Sequence, residues 1–409
     1  MEVLHARCAG IDVHKKQVTV CVRVAEGGKT RKEVREYGTD TASLLQLGDW
    51  LESEGVTNAA MEATGAYWKP VWHVLEGAVE LLLANARDVK NVPGRKSDVK
   101  DAEWLADLLA HGLIRSSFVP PESIMELRDL TRTRKQLVRE RGRHVQRIQK
   151  VLEDANIKLS SVVSDVTGLS GRKMLVALIE GETDPDRLAA LGSAWLKASK
   201  EELRAALHGF VREHHRFMLR LHLDQINALD AAIQSLEGRA ETCLQPFRKV
   251  VEHLTTMPGV SEVTAAVIMA EIGDDMSRFP TADDLVSWAG LCPGQDESAG
   301  KHRSRKLRKG GQWLKATLVQ AAWAAVKRKD SYFHAKYLRI KRRRGSKKAA
   351  IAVAAAMLTA IYYMIQRDED YHDLGGDYFE RFDRQILARR LIHRLHELGL
   401  DVDVRTRAA

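Results

Sequence analysis

The chain has 409 residues, of which 44% are hydrophobic, and this is enough for two or three domains with buried cores. Lysine and arginine number 64 against 55 aspartates and glutamates, giving a net charge of +9 that fits a polyanionic partner. The four cysteines are far apart and form no CxxC pair, which argues against a zinc site or a disulfide framework and fits a reducing cytoplasm.

The N-terminal part of the chain predicts an α/β domain. Residues 7–24 predict two strands joined by a tight turn at residues 14–16, and valines at the alternate positions 18, 20, 22 and 24 support the second strand. The pattern then predicts a third strand at 31–38, a helix at 41–53, a strand ending near Glu62, a helix at 67–75, a further buried strand and a helix that begins near Asp98. Three strands, helix, strand, helix, strand, helix is the order of a ribonuclease-H-like fold, so we predict a RuvC-like domain in residues 1–120.

Four carboxylates in this part are candidates for a metal site. Asp12 and Glu62 stand in or at the end of apolar strands, where a buried charge is costly unless it is paired or binds a cation. Asp98 and Asp101 lie three residues apart on one helix and can point at a common centre, although first-turn acids also suit the helix dipole without any ligand. The predicted fold brings these elements side by side, and hard oxygen ligands suit Mg²⁺ or Mn²⁺ in phosphodiester chemistry.

Two long helices, predicted at 121–159 and 200–239, enclose an interval at 160–198 that contains glycine and proline. They suggest an antiparallel coiled-coil domain over 121–245, with a role in dimerisation. Apolar residues mark one face of the first helix, and cations recur on the opposite face. A run of one sign repels itself unless a polyanion neutralises it, which favours nucleic-acid contact over a merely solvated face. The arginines predicted to make this contact are Arg128, Arg132, Arg139, Arg143 and Arg147.

Residues 251–273 predict two helices joined by a turn at Pro258 and Gly259. The pattern resembles a helix-hairpin-helix, whose backbone N–H groups meet a DNA phosphate, although any pair of helices can use a Pro-Gly turn.

Ser298 lies in a predicted turn and is followed by six cations among residues 301–309. A serine is a poor nucleophile unless it is activated, and surrounding cations and N–H groups would stabilise charge on an attacked phosphate. The alternative is a flexible basic loop in which Ser298 is one more neutral donor to a phosphate backbone. The predicted nucleic-acid contacts in this loop are Lys301, Arg303, Arg305 and Lys306.

The C-terminal part predicts an alanine-rich helix at 313–329 and a segment, 339–348, with seven cations in ten residues. Arg342 and Arg343 in this segment are predicted nucleic-acid contacts. Residues 349–365 are almost wholly apolar, but this stretch is short and alanine-rich, so it predicts a buried helix rather than a membrane span. An amphipathic helix and a frayed tail follow.

From these patterns we predict a serine-containing domain at 246–330 and a basic helical extension at 331–409. The first residues of the chain carry neither a basic segment nor a long apolar one, so no export signal is expected.

Five segments, taken in order, resemble the insertion sequence one-ten family of transposases, the DEDD recombinases guided by a bridge RNA. They are CAGIDVHKK, MEATGAYW, KSDVKDAEWLADLL, MPGVSEVTAAVIMAEIG and GLCPGQDESAGKHRS. The resemblance covers about residues 7–330. It implies a RuvC-like domain with a DEDD metal site, and a C-terminal transposase domain with a catalytic serine. The implied metal ligands are Asp12, Glu62, Asp98 and Asp101.

The resemblance also implies that Ser298 is the nucleophile, because the segment ESAGK matches the serine motif better than the surroundings of Ser261 or Ser304. The implied cofactor is Mg²⁺ or Mn²⁺. The implied partners are donor DNA, target DNA, a structured bridge RNA and further copies of the chain in a dimer or tetramer. No membrane is expected among them, and the implied location is the prokaryotic cytoplasm, in association with the nucleoid.

The residues and the resemblance together predict a transposase that cuts and rejoins the DNA of an insertion sequence through a phosphoserine intermediate. Two alternatives stay open. The first is a RuvC-like, Mg²⁺-dependent junction nuclease in which water attacks and Ser298 only binds phosphate. The second is a non-enzymatic nucleic-acid-binding protein. The sequence contains no Walker loop and no HExxH motif that would point to another chemistry.

Overall fold

The structure is a computed structural model that describes residues 3–63, 65–84, 98–114, 116–293, 296–298, 301–304, 307, 310–381 and 384–401. The chain divides into two compact units, residues 1–119 and 120–409. The further boundaries placed at 245 and 330 from the sequence stay predictions.

The first unit is built around a five-stranded mixed sheet. Its elements are β1 (Arg7–Val13), β2 (Gln17–Glu26), β3 (Lys29–Gly38), α1 (Thr41–Ser53), β4 (Asn58–Glu62), α2 (Trp68–Leu75), β5 (Glu80–Ala84) and α3 (Asp98–Ala110). The strand order is β3-β2-β1-β4-β5, with β1, β2 and β3 antiparallel and β4 and β5 parallel to β1. The predicted order of elements and the mixed α/β architecture are confirmed.

The central strands of this sheet are covered on both faces. Ile11 and Met61, at paired positions of β1 and β4, belong to the core that also contains Leu44 and Leu47 of α1. Residues of opposite parity, such as Cys8 and Ala60, pack against the last turns of α3. Strands buried on both faces read as nearly continuous apolar runs, and the sequence of β1 shows this pattern.

The second unit begins with a helical arm. Its elements are α4 (Glu122–Asp154), α5 (Leu159–Val162), α6 (Leu169–Glu180), α7 (Pro185–Ala190), α8 (Lys200–Leu207) and α9 (Glu213–Leu244). Arg134 and Arg141 of α4 form ion pairs with Glu237 and Asp230 of α9, respectively. Because the partner number falls as the number on α4 rises, the two long helices run antiparallel, as predicted.

The prediction of one continuous helix over 200–239 is wrong. A capping box of Ser199 and Glu202 starts α8, and the chain between α8 and α9 then crosses the end of α4. At this crossing the Phe210 N–H donates to the carbonyl oxygen of Ala155 at 2.8 Å. A Cβ on Gly209 would lie 2.4 Å from that same oxygen, so the close approach requires glycine.

The interval at 160–198 is helical, which the sequence reading missed. Helices α5 to α8 form a small core with the far end of the arm, including Leu152, Met174, Leu178 and Leu219. The apolar face predicted along α4 is therefore buried only near its two ends, and Val138 in the middle is 42% exposed.

The remainder of the second unit is mostly helical. Its elements are α10 (Arg248–Thr255), α11 (Glu262–Ile272), α12 (Ala282–Trp288), β6 (Asp296–Ser298), β7 (Lys301–Ser304), α13 (Gln312–Ala325), α14 (Tyr332–Arg344), α15 (Ser346–Arg367), α16 (Tyr378–Arg381) and α17 (Arg384–Glu397). One core cluster contains buried residues between Leu244 and Met364 together with Leu127 of α4. Helices α14 and α15 therefore share a core with α11 and α13.

Helix α15 is long and apolar enough to cross a membrane by length and composition, and no other helix among the described residues is. Its buried side chains, among them Val353, Met357 and Ile361, lie in the core cluster of the second unit. The prediction of a buried helix is confirmed.

The segment that follows α15 packs on α14, and the frayed tail predicted after the last helix falls on residues 402–409, which lie outside the described residues. Tyr371 stacks on Phe333 with ring centroids 5.3 Å apart, and Asp373 accepts the backbone N–H of Tyr332 at 2.9 Å. The predicted amphipathic helix is present as α17.

Candidate catalytic residues and nucleic-acid interface

Asp12 and Glu62 lie side by side at one end of the sheet. Strands β1 and β4 are parallel with Ile11 opposite Met61, so the next residue of each strand is a carboxylate. Asp12 is 7% exposed, and its Oδ2 lies 3.2 Å from Nε2 of His14. No role is assigned to His14 from the sequence, although the sequence shows that His14 follows Asp12 by two residues.

The packing of α3 on β1 brings the other two acids towards the same end. The Cys8 thiol contacts the carbonyl oxygen of Ala106 at 3.5 Å, and a Cβ on Gly10 would lie 2.2 Å from the carbonyl oxygen of Ala102. Helix α3 therefore runs antiparallel to β1. Two further strand residues advance about 6.6 Å, which equals about four helical residues. By this count, Asp12 of β1 lies beside residue 98, in the first turn of α3.

The four acids do not form a complete metal site in the part of the chain that the structure describes. The side chain of Asp98 lies outside that part, and Asp101 is half-buried on α3. Among the described residues, no three His, Cys, Asp or Glu side chains converge on one point. The donor set is nevertheless made of carboxylates alone, which is what Mg²⁺ and Mn²⁺ prefer. The residues present therefore fit a divalent metal ion.

Ser298 ends a short strand instead of standing in an isolated turn. It is the last residue of β6 and pairs with Lys301, the first residue of β7. The base of this hairpin is closed, because a Cβ on Gly310 would lie 2.6 Å from the backbone nitrogen of Gly290. The side chains of Ser298, Lys301 and Arg303, and the whole of Arg305 and Lys306, lie outside the described residues.

The turn at Pro258 and Gly259 joins α10 to α11 as predicted. Gly259 has a φ of +85°, and a Cβ there would lie 2.3 Å from the carbonyl oxygen of Ala321 on α13. Glycine is therefore required by the packing of the turn on α13, whether or not a ligand binds. Contact of this turn with nucleic acid stays a prediction.

Arg128 and Arg132 contact α11, so the prediction that they lie on an outward basic face of α4 is wrong, and their contact with nucleic acid stays a prediction. Arg128 donates to the carbonyl oxygens of Ala270 and Glu271 at 2.8 and 3.0 Å, which caps the end of α11. Arg132 forms two hydrogen bonds of 2.8 Å with the carboxylate of Glu271, which is 1% exposed. We call Arg128, Arg132 and Glu271 the arginine clamp.

Next along α4, three cations surround the indole of Trp313, at the start of α13. Arg132, Lys135 and Arg139 lie 5.7, 5.8 and 5.6 Å from the ring centroid. Burial, and secondly the charge of Arg139, lower the pKa of the Lys135 ammonium group. The carboxylate of Glu271 is engaged with Arg132, so the charges of Lys135 and Arg139 are not balanced there. This positive charge lies beside Trp313, in the first turn of α13, the helix that follows the β6–β7 hairpin (the serine hairpin).

Further along α4, Arg139, Arg143 and Arg147 are exposed at spacings of four residues, and we call them the arginine row. None of the three has a carboxylate partner within the described ranges, whereas Arg134 and Arg141 on the same helix do. These three residues retain the properties expected of phosphate contacts. Arg342 and Arg343 are also exposed, at the end of α14.

Two family models match the chain. One, described as transposase and built on DEDD proteins of the IS110 type, matches residues 9–157. The other, described as the transposase IS116/IS110/IS902 family, matches residues 251–338. Together they match more than half of the chain, and they include Asp12, Glu62, Asp98, Asp101 and Ser298.

Individual relatives agree with these models. The IS110 uncharacterized 43.6 kDa protein of Streptomyces coelicolor is 28% identical over 329 residues, 71% of this chain and 76% of its own length. The IS900 uncharacterized 42 kDa protein of Mycobacterium paratuberculosis is 26% identical over 333 residues, 72% of this chain and 80% of its own. The mini-circle putative transposase for IS117 of Streptomyces coelicolor is 28% identical over 244 residues, 54% and 59% of the two chains. With both models matched in order, the chain belongs to the IS110 family of insertion-element transposases.

Proposed function

We propose that this transposase cuts and rejoins DNA through a covalent bond to Ser298, assisted by Mg²⁺ or Mn²⁺ held by Asp12, Glu62, Asp98 and Asp101. The observation that carries the proposal is the register of α3 against β1, which directs the first turn of α3 to the sheet end where Asp12 and Glu62 are adjacent. The match of the second family model around Ser298 supports the nucleophile.

In the proposed first step the hydroxyl oxygen of Ser298 attacks the phosphorus of a phosphodiester. A phosphorus–Oγ bond forms, the bond to the 3′ oxygen breaks, the serine loses its proton and the leaving oxygen becomes a 3′-hydroxyl. Attack by the 3′-hydroxyl of another strand reverses these changes, rejoins the DNA and restores the serine. When bound, a divalent ion supplies positive charge that offsets the charge developing on the attacked phosphate.

The nucleic-acid partners in this proposal are donor and target DNA and a structured bridge RNA. The arginine row and Lys135, which lies beside Trp313, supply positive charge without matching carboxylates in the described chain, and this supports contact with a phosphate backbone. The bridge RNA, the dimer or tetramer and the nucleoid location rest on the family resemblance.

The test uses the full chain with labelled DNA carrying the ends of its element and with RNA transcribed from the flanking sequence. Denaturing electrophoresis should show a covalent protein–DNA band for the wild type and for Ser304→Ala, and none for Ser298→Ala. Asp12→Asn should bind nucleic acid but not cut it. The circular dichroism spectrum of Ser298→Ala should match that of the wild type, so that loss of the band is assigned to the missing hydroxyl group.

Other outcomes select the alternatives. Metal-dependent cutting without a covalent band would identify a RuvC-like junction nuclease, and binding without cutting would identify a non-enzymatic binding protein. A band that persists in Ser298→Ala, or that maps to Ser304 or a tyrosine, would show that Ser298 is not the nucleophile. Full recombination by Asp12→Ala in Mg²⁺ would refute the metal site.

A further inference from the structure

The junction of α14 and α15 concentrates positive charge at a tight turn, residues 339–348, which we call the basic elbow. Helix α14 ends at Arg344, Gly345 turns the chain with a φ of +81°, and α15 begins at Ser346. Each residue from 341 to 348 is exposed. The cations of the elbow are Arg339, Lys341, Arg342, Arg343, Arg344, Lys347 and Lys348.

This charge is not balanced locally. Residues 331–367 contain no aspartate or glutamate. None of the elbow cations forms an ion pair with any residue that the structure describes, although Arg339 and Lys341 lie against the rings of Phe379 and Tyr337. Elsewhere in the same unit, Arg248 alone contacts three glutamates. The elbow therefore differs from an ordinary solvated surface, on which both signs are mixed.

Part of this charge opposes the stability of α15. Lys347 and Lys348 lie in its first turn, where the positive end of the helix dipole disfavours cations. The residue before the helix is Gly345, which supplies no side-chain cap to the first N–H groups. A bound anion would relieve both problems at once, because it would accept from these N–H groups and neutralise the lysines.

The elbow is also held rigidly on both sides. Phe333 and Tyr337 of α14 belong to the core of the second unit, and so do Ala349 and Val353 of α15. Its cations therefore project from two anchored helices and not from a mobile tail. Charges on rigid elements keep a fixed spacing, which suits a regularly charged polymer.

We propose that the basic elbow binds the phosphodiester backbone of a nucleic acid, as a contact surface separate from the arginine row and the serine hairpin. It begins where the second family model ends, at residue 338, so it adds a contact outside the matched domains. Lysines and arginines on an exposed turn contact phosphates without reading bases, so the binding is independent of sequence. The proposal concerns binding alone and does not depend on the chemistry at Ser298.

The test compares two variants of the full chain that lose the same charge. The first is Arg342→Gln/Arg343→Gln/Lys347→Gln in the elbow. The matched control is Lys158→Gln/Arg187→Gln/Arg204→Gln, which removes three exposed cations that already contact the carboxylates of Glu153, Glu182 and Asp186, respectively.

Affinity for a DNA duplex and for a hairpin RNA is measured against salt concentration. For the elbow variant we expect affinity to fall about 10- to 100-fold near physiological salt, and the salt slope to fall by up to about three. The control should change neither. Loss confined to the duplex or to the RNA identifies which backbone the elbow holds. Unchanged binding of both, or an equal loss in the control, would refute the proposal.

A second measurement separates binding from folding. Lys347→Gln alone should leave the melting temperature of the free protein unchanged or raise it, because it removes a cation from a helix N-terminus, while weakening nucleic-acid binding several-fold. A structural role for Lys347 predicts the opposite, a lower melting temperature with unchanged affinity, and that result would overturn the proposal.

Discussion

The arginine clamp and the arginine row occupy two stretches of the same helix, and their arginines have opposite surroundings. In the clamp, Arg128 and Arg132 are engaged by the end of α11 and by a buried carboxylate. In the row, Arg139, Arg143 and Arg147 face solvent without a carboxylate partner in the described chain. Spacing along α4 does not separate the two groups, because arginines recur every four residues in both.

The difference lies in Glu271. A carboxylate that is 1% exposed is costly unless a cation compensates it, so Arg132 is fixed by the needs of α11. No buried carboxylate in the described chain pairs with the arginines of the row, so their charges are available to bind a polyanion. An arginine on a basic helix is therefore a candidate for nucleic-acid binding only after the acids of neighbouring elements have been accounted for.

Breaking the clamp should have the largest effect. Glu271→Gln leaves the Arg132 guanidinium without its carboxylate, and we expect a loss of about 3 kcal/mol of unfolding free energy. Denaturant unfolding measures this loss, and the salt dependence of nucleic-acid binding by the folded protein should stay as in the wild type. A variant that keeps its stability but changes the salt slope would show that the clamp belongs to the binding surface.

Removing the row should affect binding instead of stability. Arg139→Gln/Arg143→Gln/Arg147→Gln should weaken binding about 10- to 100-fold near physiological salt and lower the salt slope by up to about three. Its unfolding free energy should change by no more than about 0.5 kcal/mol. Filter binding over a salt series gives the slope. Unchanged affinity and slope would show that the row is only a solvated face and does not bind nucleic acid.

A smaller effect is expected for arginines of the same helix that are already paired. Arg134→Gln/Arg141→Gln breaks the ion pairs with Glu237 and Asp230, which are worth about 0–1 kcal/mol each at a surface. This variant should melt slightly earlier and bind nucleic acid with nearly the wild-type salt slope. If its slope falls as far as that of the row variant, pairing with acids does not decide which arginines bind.

The smallest effect concerns pH. Burial, then the charges of His144 and Arg147, lower the pKa of His222 on α9. Because the unfolded chain keeps a pKa of about 6.5, it takes up a proton more readily than the folded arm, so the contribution of neutral His222 is complete above about pH 6.5 and is lost as pH falls. Melting at about pH 7.5 and about pH 5.5 should show a smaller difference for His222→Gln than for the wild type. The exposed His214→Gln should keep the wild-type difference, and an equal change in both variants would exclude His222 as the cause.

The elements of the first unit were predictable because their signals are local. An apolar run marks β1, and valines at alternate positions mark β2. The cap at Asp40 and the spacing of Leu44, Leu47 and Leu51 mark α1. Asp12 and Glu62 were recognisable as charges in apolar strands. Their alignment with α3 depends on Gly10, whose close contact with Ala102 is long-range and cannot be read from spacing.

The clamp and the arm were less predictable for the same reason. The partner of Arg132 lies 139 residues away, and the sequence around Arg132 does not predict this pairing. Helices α5 to α7 are short, and they are stabilised by a shared core instead of by strong amphipathic patterns of their own. The break between α8 and α9 follows from the crossing over Ala155, which is again a tertiary contact.

The closed base of the serine hairpin has a consequence for how this protein can evolve. Gly290 and Gly310 are in close contact, so the two ends of the segment between them lie together. For a loop with fixed ends, doubling its length costs only about 0.6 kcal/mol of chain entropy. Insertions and deletions between these two glycines should therefore be tolerated by the helical core without loss of the fold.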